Sequence, residues 1–498
     1  MKLVLAIDIG TSSVRAGLVD EALTIRSVAS RPCPLSTPKP GWAQHPAEPL
    51  LEALDEAVRE CLGQEPPAGR ILGIALDAAM HTVVLLDERG DPLSPIWTWA
   101  DMRAAPQAAR LAQDPARARR LYLETGCPPH ATYHPARIRW LAEHEPGLLH
   151  RARTIASVKA LVLHRLTGEL AEDLSTASAS GLLNVSTLAW HPEVLEITGV
   201  REDRLPRLVE PKSPVGILRE ALARRWGTGA IPVVAGGTDG PMANVGAGCA
   251  GPGEAAVTAG TSSAVRMLVD GPTLDAKMRT WCYYLGDGTW IAGGAVNAGG
   301  GTLDWLSRSF PGELGGQPAS GRLDQLAGSV PPGAEGLFFA PYLAGERSPG
   351  WQDTARGYLA GLGLHHRFPH LVRAAMEGIA YQIASVFHSL AETAGEPRRV
   401  RVSGGLFSSR VFPQILADVL GRTLEVPATP EGSLLGTAAL GFAALEPGVD
   451  WRELARRVAA PARIEPDPAR HREYRRLFAA YQELYQAMRP LFRPLASL

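Results

Sequence analysis

Two copies of one polar turn occur in the sequence, each next to an apolar segment. Residues 6–20 read AIDIGTSSVRAGLVD, and residues 256–270 read AVTAGTSSAVRMLVD. A glycine lets backbone N–H groups approach an anion closely, and Thr and Ser hydroxyls add hydrogen-bond donors. A single Gly-Thr-Ser turn is more often an ordinary hairpin connection. The duplication favours a different role, in which two turns facing each other across a cleft hold a polyphosphate from both sides.

Two aspartates lie close to such turns. Asp8 ends the first apolar segment, where a carboxylate suits a magnesium ion that also binds substrate phosphates; the simpler explanation is a turn-capping side chain. Asp239 lies in VVAGGTDGPMANVG, a pattern typical of a helix N-cap. The glycines around it also leave it open to a ligand, as a carboxylate that accepts a hydroxyl proton during phosphoryl transfer must be.

Other nucleotide and hydrolase motifs are missing or misplaced. The sequence contains no G-x-x-x-x-G-K-[ST], H-E-x-x-H or G-x-S-x-G. GAGCAG at 246–251 matches G-x-G-x-x-G, but it follows a predicted helix and precedes a predicted strand, the reverse of the dinucleotide-binding order. Phosphate binding of the Walker type is therefore excluded.

The predicted elements place both turns in the same context. Residues 2–9 and 13–19 read as strands around the first turn, and TIRSVASRPC continues as a third, which predicts a β-meander. In the rest of this half, the sequence predicts a helix at 46–62, strands at 71–77 and 82–86, and a largely helical segment at 102–170. A buried strand follows at 231–235, then a turn at GGTDGP and a helix from 242. The second half repeats the plan from residue 254, with helices over 368–396, a strand at 399–402 and an amphipathic helix at 467–489.

Composition limits the classes of protein that need considering. The chain has 498 residues, 45% of them hydrophobic, enough for two or three domains; the segment GAGCAGPG predicts a division into 1–246 and 247–498. A formal net charge of -1 gives no basic face for nucleic acid or an anionic membrane. We find no apolar run of membrane-spanning length. Five scattered cysteines without C-x-x-C spacing predict neither a disulfide framework nor a zinc site, and favour a cytoplasmic location.

Six segments occur in the order found in the FGGY carbohydrate kinases, members of the actin-like ATPase superfamily: AIDIGTSS, GGTDG, AGTSS, GGAVNAGGGTLDWL, PYLAGERSPGW and VSGGLFSS. The resemblance covers essentially the whole chain. It implies an α/β protein with two domains of actin-like ATPase (ribonuclease H-like) fold, a nucleotide cleft between them, and use of ATP and Mg²⁺. AMHTVVLLDERGDPLSPIWTWADMR, TGCPPH and STASASGLLN are most similar to the gluconate kinases of this family; xylulose kinases share the Met-His pair and a W-x-D-x-R run.

The resemblance also implies roles for individual residues. Asp239 would be the catalytic base, and Asp8 and Asp239 would lie on the magnesium side. The residues that would contact the nucleotide are Gly10, Thr11 and Ser12 in the first turn, Gly260, Thr261 and Ser262 in the second, and Gly300, Gly404, Gly405 and Ser409. Glycerol kinases carry an Asn where this chain has Ser409, which leaves base selectivity open. The residues that would contact the sugar are Met80, His81, Trp99, Asp101 and Asp239.

Several of these residues have a simpler explanation. His81 taken alone would be an ordinary turn residue, and Trp99 could belong to the core. Trp97 and Trp99 alternate, so on a strand both would face one way and one could simply pack. The glycines at 299–301 could be a closely packed helix entry rather than a nucleotide contact.

The resemblance predicts ATP-dependent phosphorylation of a small sugar acid, D-gluconate at O6, with xylulose or another pentulose or polyol as the alternative substrate. A non-enzymatic alternative is an actin-like nucleotide switch or chaperone. Four side chains are candidates to pair with a gluconate carboxylate: Arg103, His130, His134 and Arg137. The expected partners are the sugar acid and ATP, with no nucleic acid and no membrane, and a homodimer is one option that the sequence leaves open.

Overall fold

A computed structural model describes residues 1–64, 69–316 and 318–496. The chain folds into two compact units. Unit 1 comprises Met1–Pro252, Leu268–Ile291 and Glu431–Val458, and unit 2 comprises Gly253–Met267, Ala292–Pro430 and Ala459–Leu498. Both units are thus discontinuous in sequence, and the domain boundary expected at residue 246 stays a prediction.

The strands of the described residues are, in chain order, β1 (Lys2–Ile9), β2 (Ser13–Asp20), β3 (Ile25–Pro32), β4 (Gln44–His45), β5 (Arg70–Ala78), β6 (Val84–Leu86), β7 (Ile96–Trp97), β8 (Thr154–Ala156), β9 (Ala171–Asp173), β10 (Leu183–Asn184), β11 (Ala189–Trp190), β12 (Arg207–Val209), β13 (Pro214–Ile217), β14 (Pro232–Thr238), β15 (Glu254–Ala259), β16 (Ser263–Val269), β17 (Trp281–Gly286), β18 (Thr289–Val296), β19 (Phe338–Ala340), β20 (Tyr358–Ala360), β21 (Arg399–Ser403), β22 (Leu424–Val426) and β23 (Ala462–Ile464).

The helices of the described residues are α1 (Ala47–Gln64), α2 (Ala105–Leu111), α3 (Pro115–Thr125), α4 (His134–His144), α5 (Pro146–Arg151), α6 (Val158–Thr167), α7 (Leu174–Ser178), α8 (Pro192–Thr198), α9 (Glu220–Trp226), α10 (Asp239–Gly246), α11 (Gly300–Ser309), α12 (Ala319–Gly328), α13 (Phe368–Ala394), α14 (Phe412–Leu420), α15 (Gly432–Leu445), α16 (Trp451–Arg456), α17 (Pro468–Met488) and α18 (Phe492–Ala496). Short 3-10 turns occur at Glu202–Arg204, Pro311–Leu314, Pro332–Gly336, Gly405–Ser408 and Arg489–Leu491.

The main sheet of unit 1 has the strand order β13-β14-β5-β1-β2-β3. Strands β1, β2 and β3 form the antiparallel meander that the sequence predicted, and β5 and β14 run parallel to β1. Seven of the eight residues of β1 are buried. Strands that are buried on both faces of a sheet read as continuous apolar runs, which is the pattern that this segment shows. The parallel strands bring the carboxyl ends of β1, β5 and β14 to one edge.

The strands of the second large sheet that lie wholly or mostly in unit 2 have the order β18-β16-β15-β21-β22-β23. Strand β15 pairs antiparallel with β16 and parallel with β21, and β21 pairs parallel with β22. This strand order repeats that of unit 1, with β15 in the place of β1 and β21 in the place of β5. The internal repeat of the sequence is therefore a repeat of topology.

Three local expectations were wrong. The segment GGTDGP is not a free turn, because β14 runs through Thr238 and α10 begins at once with Asp239. Strand β7 ends at Trp97, so Trp99 lies beyond it and does not share a strand face with Trp97. The segment WCYYLG was not recognised as a strand but forms the fully buried β17.

Among the described residues, no helix has both the length and the apolar character needed to cross a lipid bilayer.

Candidate active site

The carboxyl ends of β1 and β5 in unit 1 place two acids side by side. Strand register sets Asp8 opposite Arg15 on the antiparallel side and opposite Asp77 on the parallel side. Asp8 is 1% exposed; its Oδ2 atom accepts hydrogen bonds from the Arg15 guanidinium and from Ser433 Oγ at 2.5 Å. Arg15 also donates to Glu431 Oε2 at 2.8 Å. The Asp8 carboxylate is thus held in a fixed orientation.

Asp77 is a buried acid that sequence reasoning missed. Its side chain is fully buried, and its Oδ2 atom accepts a hydrogen bond from the Thr437 hydroxyl. Burial raises the pKa of Asp77 well above its usual value, and the negative charges of Asp8 and Asp239 act in the same direction. The two acids that the sequence predicted therefore lie in the electrostatic field of a third. An Asp at the end of a buried strand, ILGIALDA, was the signal available.

Asp239 begins α10 directly after a bulge in β14. Between Val234 and Gly237, strand β14 uses one residue more than its partner β5. Gly236 has a φ of +73°, and a Cβ there would lie 1.7 Å from the carbonyl oxygen of Leu76, so only glycine fits. Bulges next to functional sites commonly re-aim the residues that follow. Here the bulge precedes Asp239, whose Oδ1 atom accepts the N–H of the next residue at 2.7 Å.

The N-cap explanation for Asp239 does not describe this helix. Thr238 occupies the N-cap position, and Asp239 is the first helical residue. An acid in the first turn is favoured by the partial positive charge of a helix N-terminus. The side chain is partly exposed, as a group that exchanges a proton with a ligand must be.

The first Gly-Thr-Ser turn carries a side-chain contact from a distant segment. Trp99 Nε1 donates a hydrogen bond to Thr11 Oγ1 at 2.9 Å. An indole N–H can only donate, so Thr11 accepts here and its own O–H proton is directed elsewhere. Gly10 N donates to Ser13 O at 3.0 Å and closes the turn, while Ser12 is exposed. The structure thus joins a predicted phosphate contact to a predicted sugar contact.

His81 has a backbone conformation that is unusual for its residue type. Its φ is +63°, a left-handed value that non-glycine residues adopt mainly at turns and functional sites. Its Nδ1 atom lies 2.7 Å from Ala179 O; because a carbonyl only accepts, Nδ1 carries a proton and donates it to this hydrogen bond. The ring contacts Tyr133 and Tyr283 edge-on, and the two tyrosine hydroxyls lie 2.8 Å apart. Sequence reasoning missed both tyrosines.

Asp101 is engaged by its own protein. It is 1% exposed, and its carboxylate accepts hydrogen bonds from Ala43 N at 2.8 Å and from the Arg103 side chain at 2.6 to 3.0 Å. The Arg103 guanidinium lies 3.5 Å from the ring centroid of Trp42 and 3.9 Å from that of Trp97. Trp97 is therefore the tryptophan that packs. Asp101 fixes this loop, and its expected contact with a sugar stays a prediction, as does that of the half-buried Met80.

Arg137 was a candidate partner for a substrate carboxylate, and the structure gives its guanidinium another role. The side chain is fully buried and donates to four backbone carbonyls, those of His81, Thr98, Asp101 and Ala131. These carbonyls belong to the segments that carry the predicted sugar contacts. Arg137 thus holds those segments in place.

The two histidine candidates are also buried. Burial, followed by the charge of Arg137, lowers the pKa of His134 to about 3, so this ring is neutral at physiological pH. His130 is 4% exposed, and its Nδ1 atom accepts the N–H of Thr132 at 3.2 Å. Of the four candidates, the two arginines are bound to protein groups and His134 carries no charge.

In unit 2, the second Gly-Thr-Ser turn packs against the start of α11. Gly300 N donates to Gly260 O at 2.6 Å, and Gly301 N donates to Thr261 O at 3.0 Å. A Cβ at Gly299 would lie 2.6 Å from Gly260 O. The glycines at 299–301 are therefore required by close packing, the simpler of the two explanations that the sequence allowed, although Gly300 also reaches the cavity described next.

A cavity of about 1060 Å³ lies in unit 2. It is lined by predicted nucleotide contacts, namely Gly260, Thr261, Gly300, Gly405 and Ser409. Gly404 lies behind it with a φ of +103°, and a Cβ there would lie 2.5 Å from Ala259 O. The structure thus brings five of the ten residues expected around a nucleotide to one cavity of unit 2.

The Ser409 hydroxyl has no capacity left for a base. It donates to Asp324 Oδ1 and accepts from Val411 N at 3.1 Å and from Phe412 N at 3.0 Å. A hydroxyl offers one donor and two acceptor lone pairs, and all three are used. Asp324, which also lines the cavity, is a polar group that sequence reasoning missed.

The strand ends of unit 1 suit a magnesium ion chemically. The Oδ1 atoms of Asp8 and Asp77 are buried and receive no N–H or O–H donor from the described residues, other than a proton held by one of the two carboxyls. Mg²⁺ prefers carboxylate oxygens and keeps water and phosphate as further ligands. Within the described ranges, no group of three or more His, Cys, Asp or Glu side chains is arranged to hold a metal. Binding of Mg²⁺ by Asp8 and Asp239 stays a prediction.

Two units with the same strand order, each with a polar turn after its first strand, define the class of actin-like ATPase folds. The N-terminal domain of the FGGY family of carbohydrate kinases matches residues 3–246, and the C-terminal domain of that family matches residues 255–445. The chain therefore belongs to the FGGY family of carbohydrate kinases. The resemblance read from its motifs is confirmed, and so are the fold class and the kinase activity.

Named relatives include kinases for two different sugars. A gluconokinase from Bacillus licheniformis is 33% identical over 502 residues, covering 99% of this chain and 97% of that protein. A ligand-bound xylulose kinase from Lactobacillus acidophilus is 26% identical with a TM-score of 0.93, covering 99% of this chain and 100% of its own. A gluconate kinase from the same organism is 26% identical with a TM-score of 0.92, covering 98% of each chain. The fold alone does not choose between the two sugars.

Proposed function

We propose that this carbohydrate kinase phosphorylates D-gluconate at O6, using ATP. The observation that carries the proposal is the similarity to a gluconokinase along nearly the whole chain, at 33% identity. The segments TGCPPH and STASASGLLN, which resemble the gluconate kinases, support it. In unit 1, the second of these segments includes Ala179, whose carbonyl orients His81.

In the proposed reaction, Asp239 is the catalytic base. Its carboxylate accepts the proton of the primary hydroxyl as the hydroxyl oxygen attacks the γ-phosphoryl group. The bulge in β14 fixes where the Asp239 side chain emerges. The His81 imidazole is assigned a hydrogen bond with a sugar hydroxyl, and the Trp99 indole offers a flat apolar face to sugar C–H groups.

The phosphates and the nucleoside are assigned to other groups of the chain. Thr11 donates its hydroxyl proton to a phosphoryl oxygen while it accepts from Trp99. The cavity of unit 2 takes the nucleoside, with Asp324 facing the base. Asp8 and Asp239 would hold Mg²⁺, with Asp77 Oδ1 as a further oxygen beside them. The ion would neutralise charge on the transferring phosphoryl group when bound. Recognition of the gluconate carboxylate is assigned to none of Arg103, Arg137 and His134, because each is bound to the protein or neutral.

Replacing the proposed base tests the mechanism. Asp239→Asn keeps the shape and removes the proton acceptor, so kcat should fall by about 10²–10⁴-fold, a typical loss for a general base, while ATP binding measured by calorimetry stays within threefold. The matched control is Asp114→Asn at the N-cap of α3, where Asn caps equally well. A kcat within threefold of the parent in Asp239→Asn would remove Asp239 from the chemistry.

A sugar panel tests the substrate. Gluconate, xylulose, ribulose, glycerol and erythritol are compared at saturating ATP in a coupled assay. We expect gluconate to exceed xylulose in kcat/KM by at least ~10²-fold, about what one charge-assisted contact supplies. A preference for xylulose would overturn the gluconate assignment and leave the kinase activity intact.

A further inference from the structure

A lysine distant in the sequence donates a hydrogen bond to a backbone carbonyl that lies between the bulge of β14 and Asp239. Lys159, on α6, is fully buried, and its Nζ atom donates a hydrogen bond to Gly237 O. A buried ammonium is costly unless it is paired and hydrogen-bonded. Its counter-ion is Asp173, also fully buried, with Oδ2 at 3.1 Å from Nζ. The motif GGTDG is therefore joined at its second glycine to an ion pair that the proposed chemistry does not use.

Asp173 extends this connection to the segment that follows β9. Its side chain caps α7, accepting Thr176 N at 2.9 Å and the Thr176 hydroxyl at 2.7 Å. One residue into α7, Ser175 Oγ lies 3.3 Å from Thr238 Oγ1 and accepts Thr238 N at 3.4 Å. The two residues before Asp239 are thus held by two different side chains from one cluster, Lys159 at Gly237 and Ser175 at Thr238.

We propose that Lys159, paired with Asp173, is a positioning residue for phosphoryl transfer that fixes the bulged end of β14 and thereby the place of Asp239. The proposal rests on the proposed role of Asp239 as the base. Strand β14 changes register between Val234 and Gly237, and its pairing with β5 resumes only at Gly237 and Thr238. This short stretch of ladder is supported by the hydrogen bonds from Lys159 and with Ser175. A displacement of about 1 Å at a reacting group can cost about 10²-fold in rate.

The test removes the hydrogen bond without leaving a buried charge alone. Lys159→Met with Asp173→Asn deletes both charges, and Lys159→Gln with Asp173→Asn also deletes them but keeps an N–H donor for Gly237 O. We expect kcat to fall by about 10²-fold in the Met pair. In the Gln pair, kcat should fall by no more than about tenfold. The KM for the sugar should stay within threefold of the parent value in both pairs. Each kcat is calculated per binding-competent molecule, whose fraction is the sugar-binding stoichiometry measured by calorimetry.

The matched control is another ion pair of unit 1. Arg279→Met with Asp275→Asn removes a pair whose Nε and Oδ2 atoms lie 2.6 Å apart, and its kcat should stay within twofold. Because the Met pair could fail to fold, Ser175→Ala is measured as well; it keeps the ion pair and loosens Thr238, and a five- to tenfold loss in kcat at unchanged KM is expected.

The outcomes separate this proposal from the one on which it rests. Parent-like kcat in the Met pair overturns the role of Lys159. If the Met pair does not fold, parent-like kcat in Ser175→Ala overturns the proposal, because the end of β14 would then not need a side chain to hold it. Equal kcat in the Met and Gln pairs overturns it too, because the donor to Gly237 O would then not matter. Loss of rate in these variants with full activity in Asp239→Asn would instead refute the proposed base.

Discussion

Glu172 provides a prediction that combines stability with pH. This residue precedes Asp173 on β9, is 4% exposed and accepts a hydrogen bond from Ser157 Oγ at 2.9 Å. Burial, and then the charge of Asp173, raises the pKa of Glu172 from 4.5 to about 8. Glu172→Gln keeps the shape and the acceptor for Ser157 but removes the ionisable proton.

The sign of the effect follows from proton binding. Below pH 4.5 the carboxyl is protonated in both the folded and the unfolded chain. Between pH 4.5 and pH 8 only the folded protein keeps this proton, so the free energy of unfolding falls as the pH rises. A difference of one pKa unit corresponds to about 1.4 kcal/mol. The whole window of 3.5 units is therefore worth up to about 5 kcal/mol, and the step from pH 5.5 to pH 7.5 up to about 3 kcal/mol.

Urea unfolding of the parent and of Glu172→Gln, followed by tryptophan fluorescence at several pH values, measures this difference. We expect the variant to gain stability over the parent as the pH rises from 5.5 to 7.5. The matched control is Glu143→Gln, because an ion pair with Arg110 lowers the pKa of the exposed Glu143, and both states are then ionised throughout the window. A stability difference between Glu172→Gln and the parent that is the same at all pH values would refute the reasoning.

Two further predictions concern contacts inside unit 1. Trp99→Phe and Thr11→Val should each lower kcat, and the double variant should lose less than the product of the two, because both remove the same hydrogen bond of 2.9 Å; purely multiplicative losses in kcat would show that the contact is not shared. Arg137→Lys should lower the thermal midpoint and raise the sugar KM, because the three donors of one ammonium nitrogen cannot replace a guanidinium that reaches four backbone carbonyls; parent-like values of both in melting and kinetic assays would exclude a structural role.

Local sequence patterns were enough to predict the sheet core. The apolar runs on either side of each Gly-Thr-Ser turn predicted a meander, and the structure has it in both β1–β3 and the β15–β16 pair. Such predictions succeed because alternation and turn chemistry depend on neighbours in the chain. The helix over 368–396 was equally clear, since α13 runs from Phe368 to Ala394.

Contacts between distant segments could not be predicted in this way. Trp99 and Thr11 are 88 residues apart, and Lys159 and Gly237 are 78 apart. A lysine on an apolar helix face reads locally as a residue that extends to solvent. Its burial is explained by two distant groups, the carboxylate of Asp173 and the carbonyl of Gly237. The charge of Arg137 indicates a partner for a carboxylate. The structure instead directs its guanidinium at four backbone carbonyls.

The two identical Gly-Thr-Ser-Ser sequences show where sequence identity stops determining chemistry. Gly10 N donates to Ser13 O, three residues on, whereas Gly260 N donates to Ser262 O, two residues on. The carbonyls of Gly260 and Thr261 receive the N–H groups that begin α11, so the backbone of the second turn is committed to packing. In the first turn, the carbonyl of Ser12 accepts Cys33 N at 2.8 Å, and the Thr11 hydroxyl accepts from Trp99, so that its own proton is directed elsewhere. The same four residues thus have different groups occupied, because the segments packed against them differ.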